Sequence, residues 1–218
     1  MNKLAILAGL AVASASIASA DVLWSQLPNS PNGYWADGFS TNGSQFYAQS
    51  TADNFTLAQQ SDITLFRFWG SSENFVFDDL TNFSDWDIYI FDSAFNTVAS
   101  GQIPKAAFTI TPTGNSNING GIEYMFELAV SPITLAAGDY RFHMGSINVS
   151  PGDDAFVWSL ADADGNVYLN EFDGNGWITD PDDVAFEIEG QPVPEPATVV
   201  ALSLGAVGLL ARRRRKSA

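Results

Sequence analysis

Between residues 60 and 190 the chain alternates apolar and polar positions with a period of two, in short runs closed by Gly, Asn, Asp or Pro. The clearest run is IEYMFELAV. Ile122, Tyr124, Phe126, Leu128 and Val130 fall on one face, and Glu123, Met125 and Glu127 on the other, the pattern of a strand with one buried side. Trp86, Ile88 and Ile90 alternate in the same way with Asp85, Asp87 and Tyr89, and Val184, Phe186 and Ile188 with Ala185, Glu187 and Glu189. Further strands are read in DITLFRFWG, AAFTIT, DYRFHMG, DAFVWSL and NVYLNEF.

Half-buried strands of this kind belong to antiparallel sheets, since parallel strands covered by helices are apolar on both faces. No internal stretch sustains a 3.6-residue period. The pattern predicts an all-β fold, an antiparallel two-sheet β-sandwich of eight to ten strands, jelly-roll-like in connection. Residues 71–84 and 111–121 read as loops, the second a mobile Asn-, Gly- and Ser-rich turn region, and 189–196 (EGQPVPEP) as an extended Pro-bearing linker.

The two ends break the pattern. Residues 1–20 carry Lys3, an apolar run from Leu4 to Val12, and Ala18-Ser19-Ala20, which predicts a signal peptide cut between Ala20 and Asp21 by signal peptidase. At the other end Ala197 to Ala211 is free of charge and is followed by Arg212, Arg213, Arg214, Arg215 and Lys216. As a helix of about 22 Å it is short for a hydrocarbon core of about 30 Å, yet workable with snorkelling arginines. The basic block then stays cytoplasmic. The division expected is a signal peptide at 1–20, a β-sandwich at 21–190, and a linker with a transmembrane sorting tail at 191–218.

Charge and composition narrow the chemistry. The net charge is −16, but residues 21–194 hold three cations, Arg67, Lys105 and Arg141, against 24 acids. Such a surface repels nucleic acid and favours divalent cations. With no cysteine and one histidine, His143, thiol catalysis, disulfides and multi-histidine zinc sites are excluded. His143 beside Arg141 has no nucleophile turn to partner it and reads best as a strand histidine with a structural hydrogen bond.

The tail VPEPATVVALSLGAVGLLARRRRK resembles the PEP-CTERM sorting signal, with Val193, Pro194, Glu195 and Pro196, an apolar helix and the arginine cluster in that order. The resemblance covers about the last 26 residues. It implies recognition and cleavage near Pro-Glu-Pro by exosortase, a membrane-embedded, cysteine transpeptidase-like enzyme of exopolysaccharide-producing Gram-negative bacteria. The inner membrane would hold the tail transiently, and the protein would reach the cell surface or the extracellular space. Tails of this kind are also filed under an ice-binding label, a name that carries no ice affinity. Upstream, ADNFTLAQQSDITLFRFWG followed by DWDIYIFD is similar to a core recurring among the cargo of this pathway. That similarity supports a sandwich and brings no activity.

Candidate ligand sites follow from residue type. Trp69, Trp86 and Trp158 lie in strands and read as core, whereas Trp35 and Trp177 sit among turn residues, where a ring can serve as a sugar platform or cover a loop. Asp162, Asp164, Asn166, Asn170 and Asp173 take positions 1, 3, 5, 9 and 12 of a calcium-loop spacing, and Ca²⁺ is the ion such oxygens would take. The Gly at position 4 and the missing helices depart from that loop, and Asp-Gly between strands also signals a plain hairpin, the stronger reading. The acidic pairs in TDPDD (179–183) and PGDD (151–154) read as solvated turns. Thr109, Thr111 and Thr113 form a single threonine row broken by Pro112, read as an ordinary solvent face.

These features point to an exported, noncatalytic surface or matrix protein in contact with exopolysaccharide. The alternative is a carboxylate-based glycan hydrolase, which needs two carboxyls, one with a raised pKa. With 24 acids some such pair is inevitable, so composition does not decide between them.

Overall fold

The structure is a computed structural model that describes residues 20–35, 50–72, 80, 83–148, 156–162, 167–170 and 176–194; of these, the side chains of residues 34, 35, 84, 148 and 170 are not described. Among the described residues fourteen strands run in the order β1 (Asp21–Gln26), β2 (Pro28–Trp35), β3 (Ser50–Leu57), β4 (Ser61–Ser72), β5 (Phe83–Asp92), β6 (Thr97–Pro104), β7 (Thr109–Ser116), β8 (Ile122–Leu135), β9 (Gly138–Asn148), β10 (Phe156–Ala161), β11 (Val167–Asn170), β12 (Ile178–Asp180), β13 (Asp183–Val184) and β14 (Phe186–Pro192). A 3-10 turn at Lys105–Ala107 precedes β7, within the stretch expected to be strand.

All pairing is antiparallel, in two sheets. In the first, β4 pairs with β8, β14 and β10; β7 lies on β8, β1 on β14, and β2 and β13 on β10. The second runs β12-β11-β3-β9-β5-β6. Alternation drives their packing: Phe66 of β4 stacks on Phe142 of β9 with centroids 5.0 Å apart, and Trp86 of β5 lies 5.3 Å from Phe126 of β8. Trp86 and Trp158 are fully buried, as expected of strand tryptophans. Trp69 is also buried, but in a small separate cluster with Ala161, Ala185 and the half-buried Met125.

Several expectations are corrected. The region 111–121 is an organised hairpin: Thr111–Ser116 belongs to β7, and Asn117 then ties the turn. Asn117 Oδ1 accepts from Asn119 N at 3.0 Å and Gly121 N at 2.8 Å, while its Nδ2 donates to Ser71 Oγ and the Ser72 carbonyl, each at 2.9 Å. The threonine row is broken here too, because Thr113 Oγ1 turns to donate to Glu123 Oε2 at 2.7 Å. Glu123, placed on the solvent face by its alternation, is fully buried; Asn115 Nδ2 at 3.0 Å and Ser159 Oγ at 2.6 Å also donate to it, which offsets the cost of burying the carboxylate.

The first half of the stretch read as a linker, 189–192, is strand. β14 pairs with β4 through Pro192 opposite Ser61, and Val193 N still donates to the Gln60 carbonyl at 2.8 Å. Proline is tolerated there because it closes the strand. Ser71–Ser72 and Phe83–Ser84, expected within a loop, are the ends of β4 and β5. No helix among the described residues is long and apolar enough to cross a membrane; the apolar segments 4–12 and 197–211 lie outside them.

Candidate functional site

The outer face of the second sheet departs from what a sandwich exterior should be. Outward positions of β5, β9 and β11 ought to be polar, yet they carry Tyr89, Phe91 and Tyr168 around Arg141 and the buried His143. Phe95 from the β5–β6 turn and Trp177 from the segment before β12 complete the group. The five carbocyclic and indole side chains are each half-buried, so part of each ring remains accessible.

The rings are ordered against each other. Tyr89 and Phe91 stack at 5.5 Å with planes 6° apart, and Phe95 and Trp177 stack at 4.7 Å with planes 12° apart. Phe91 links the two pairs, 5.8 Å from Phe95 and 6.0 Å from Trp177. Arg141 is clamped between Phe95 and Tyr168, its guanidinium carbon 4.1 and 4.3 Å from their centroids, a cation–π sandwich. Arg141 Nη1 donates to the Asp92 carbonyl at 3.0 Å, while its buried Nε has no acceptor among the described residues.

Phe95 is held in the left-handed region at φ 62°, a conformation that costs a bulky residue about 1–2 kcal/mol. The turn around it supplies the compensation. Asp92 Oδ1 accepts from Ala94 N at 2.8 Å and Asn96 N at 2.9 Å, and Asp92 Oδ2 from Asn96 Nδ2 at 2.8 Å. These bonds, the Asn96 side chain first, hold the Asp92 carboxyl below its ordinary range.

Beneath the rings His143 is buried, 5.6 Å from Tyr89 and 6.4 Å from both Phe91 and Trp177. Its Nδ1 lies 2.7 Å from the Thr51 carbonyl, which can only accept, so Nδ1 carries the proton of the neutral ring. Burial pushes its pKa down to about 4 although the Thr51 bond opposes this. It is the structural strand histidine expected of it. Along the same face of β5, burial and then the charge of Asp85 raise the pKa of Asp87, and burial and then Asp87 raise that of Tyr89.

The candidates read from sequence separate. Trp177 lies in the aromatic face. Trp35 does not sit in a turn: it ends β2, opposite Val157, and its side chain is outside the described residues. Of the calcium spacing, Asp162 is exposed and accepts from Asn29 Nδ2 at 2.7 Å, and Asn170 ends β11 opposite Ser50. Asp164, Asn166 and Asp173 lie outside the described residues. The hairpin reading of this stretch is corrected, since β10 and β11 belong to different sheets.

Among the described residues no group of three His, Asp or Glu side chains could hold a metal ion. Within TDPDD, Asp183 is buried in β13, where a solvated turn was expected. Residues 151–154 lie outside the described residues.

Sequence reasoning missed Tyr89, Phe91, Phe95 and Tyr168. The signal was aromatic residues at nominally exposed positions of YIFD and NVYLN, but which strands lie side by side comes only from the sheet order. The two ends of the domain also meet: Asp21, the expected first residue after signal cleavage, pairs with Gly190, three residues before Val193.

No curated protein matches the chain. Residues 192–216 match the model of the PEP-CTERM protein-sorting motif, which implies that exosortase processes the protein and that it is exported to the cell surface.

Proposed function

We propose that the exported domain is a noncatalytic surface or matrix protein that contacts exopolysaccharide through the aromatic outer face of its second sheet. The observation that carries this reading is the Phe95–Trp177 stack set beside the Tyr89–Phe91 pair on a sheet face that should be polar. Part-exposed aromatic rings offer flat apolar surface to the C–H faces of sugar rings, and the Tyr hydroxyls and Arg141 supply donors at its margins. The strained backbone at Phe95 supports a placed ring, since strain of that kind persists where the surroundings enforce it. The sorting motif supports the setting, because it sends the domain to the surface, where secreted polysaccharide is met.

The test is affinity electrophoresis of the mature protein through gels cast with the host's exopolysaccharide. Wild type is expected to be retarded, and Trp177→Ala and Phe95→Ala to lose most of that retardation while keeping their circular dichroism. Equal mobility of wild type with and without polysaccharide would refute it.

A second reading, a carboxylate-based glycan hydrolase, draws support from one observation. Asp87 holds its proton above the ordinary carboxylate range next to Asp85 and in line with Tyr89, the environment of a general acid. Release of reducing ends from the same polysaccharide, abolished by Asp87→Asn, would favour this reading; retardation without turnover favours the first.

A further inference from the structure

The geometry points to a membrane-facing pole: the end of the sandwich built from the β3–β4 and β8–β9 turns rests on the lipid headgroup surface for as long as the sorting tail stays in the bilayer. This inference rests on the reading of residues 197–211 as a membrane segment.

The argument begins with where the sheet lets go of the chain. β14 is bonded to β4 as far as Pro192 opposite Ser61, and Val193 N is still tied to the Gln60 carbonyl at 2.8 Å. The apolar run begins at Ala197. Four residue steps separate Val193 from Ala197, and a fully extended chain spans at most about 14 Å over that distance. A headgroup layer occupies about 5–7 Å of it, so the pole cannot stand more than about 9 Å above the lipid surface. A flexible linker would have allowed the domain to tumble, but β14 consumes the residues that would have formed one.

A second observation comes from the other terminus. Asp21 opens β1 opposite Gly190, and Ala20 is exposed beside it, so the segment read as a signal peptide joins the domain at the same pole. Both segments written in membrane-like sequence therefore leave the fold together. The surface between them suits close approach: Ala58, Gln59, Gln60, Ala136 and Ala137 are exposed, small or neutral. The carboxylates there are engaged, Asp62 by Thr134 Oγ1 at 2.5 Å and Asp139 by Thr56 Oγ1 at 2.7 Å. Asp21 and Asp139 are exposed acids at this pole, and Asp92, opposite Tyr140, is half-buried there, in a domain that is otherwise densely acidic.

The strands of both sheets run between this pole and the opposite one. The β5–β6 turn lies at the same pole, since Asp92 is opposite Tyr140, so Phe95 marks the membrane-proximal edge of the aromatic face and the rest of that face extends away from the lipid along the outside of the second sheet.

The chain has no cysteine, so single labelling sites are clean. Full-length Gln59→Cys (near pole) and Ile118→Cys (86 % exposed, at the tip of the β7–β8 hairpin beside Ser72 at the other end of β4) would carry an environment-sensitive fluorophore. Each is reconstituted into phosphatidylethanolamine–phosphatidylglycerol vesicles containing headgroup spin-labelled lipid. The label at residue 59 is expected to be quenched several-fold more than that at 118. Inserting 20 Gly/Ser residues between Val193 and Pro194, a coil of about 25 Å end to end, should abolish the difference. Equal quenching of the two sites in protein that floats with the vesicles would overturn the orientation alone. Protein that does not float at all would overturn the membrane reading of the tail, and the orientation with it.

Discussion

His143 makes stability depend on pH between about 4 and 6.5. The ring is 4 % exposed, tied by Nδ1 to the Thr51 carbonyl and packed under Tyr89, Phe91 and Trp177, and burial lowers its pKa to about 4. In the unfolded chain the same ring titrates near 6.5, so on acidification the unfolded state takes up the proton first. The stabilisation is complete above about pH 6.5 and is lost as pH falls towards 4. The depression of about 2.5 pH units corresponds to about 3 kcal/mol between pH 7 and pH 4, a large share of the 5–15 kcal/mol typical of a domain.

The assay is urea unfolding of wild type and His143→Asn at half-unit steps across that range. Asparagine can keep an N–H directed at Thr51 but has no proton to gain. Carboxylates titrate in both proteins and cancel in the difference, so the advantage of wild type over the variant should shrink by about 3 kcal/mol. A difference that stays flat from pH 7 to 4 would refute the buried neutral ring.

Two further outcomes follow from the polar clusters. On the outer side of the first sheet Arg67 bonds Glu127 at 2.7 Å and also Glu187 and Glu189; burial pulls its pKa down but the three glutamates outweigh this and raise it. Arg67→Met leaves three carboxylates facing one another and should cost about 2 kcal/mol at pH 7, read as a lower urea midpoint. Asn117→Ala removes four side-chain hydrogen bonds from the β7–β8 turn and leaves buried groups unsatisfied; a loss of about 2–3 kcal/mol and faster amide exchange at Gly121 are expected.

The central strands were legible because each buries one face, and IEYMFELAV, DWDIYIFD and VAFEIE state that directly in their alternation. β2 and β6 were not, since PNSPNGYW and TVASGQIP carry little apolar signal and owe their form to a paired neighbour. β14 was misread at its end for a related reason: Gly190 and the prolines at 192 and 194 look like a linker, yet β1 and β4 flank the strand on both sides. The candidate site was half legible. Trp177 stood out by its turn, but Phe95, Tyr89 and Tyr168 become its companions only through sheet order, a non-local property that no local pattern carries. Glu123 looks solvated in sequence because the Ser159 hydroxyl that completes its hydrogen bonds comes from a distant strand, and Asp183 because β13 is paired to the distant β10.

The claim that the aromatic outer face is the polysaccharide contact is tested most directly by amide and indole chemical-shift mapping of the mature protein during titration with oligosaccharides of the host polymer. The account predicts shifts concentrated at the Trp177 indole, Tyr89, Phe91, Phe95 and Arg141, with β7 and the outer side of the first sheet silent. Saturable shifts centred anywhere else on the domain, or none at millimolar ligand, would contradict it.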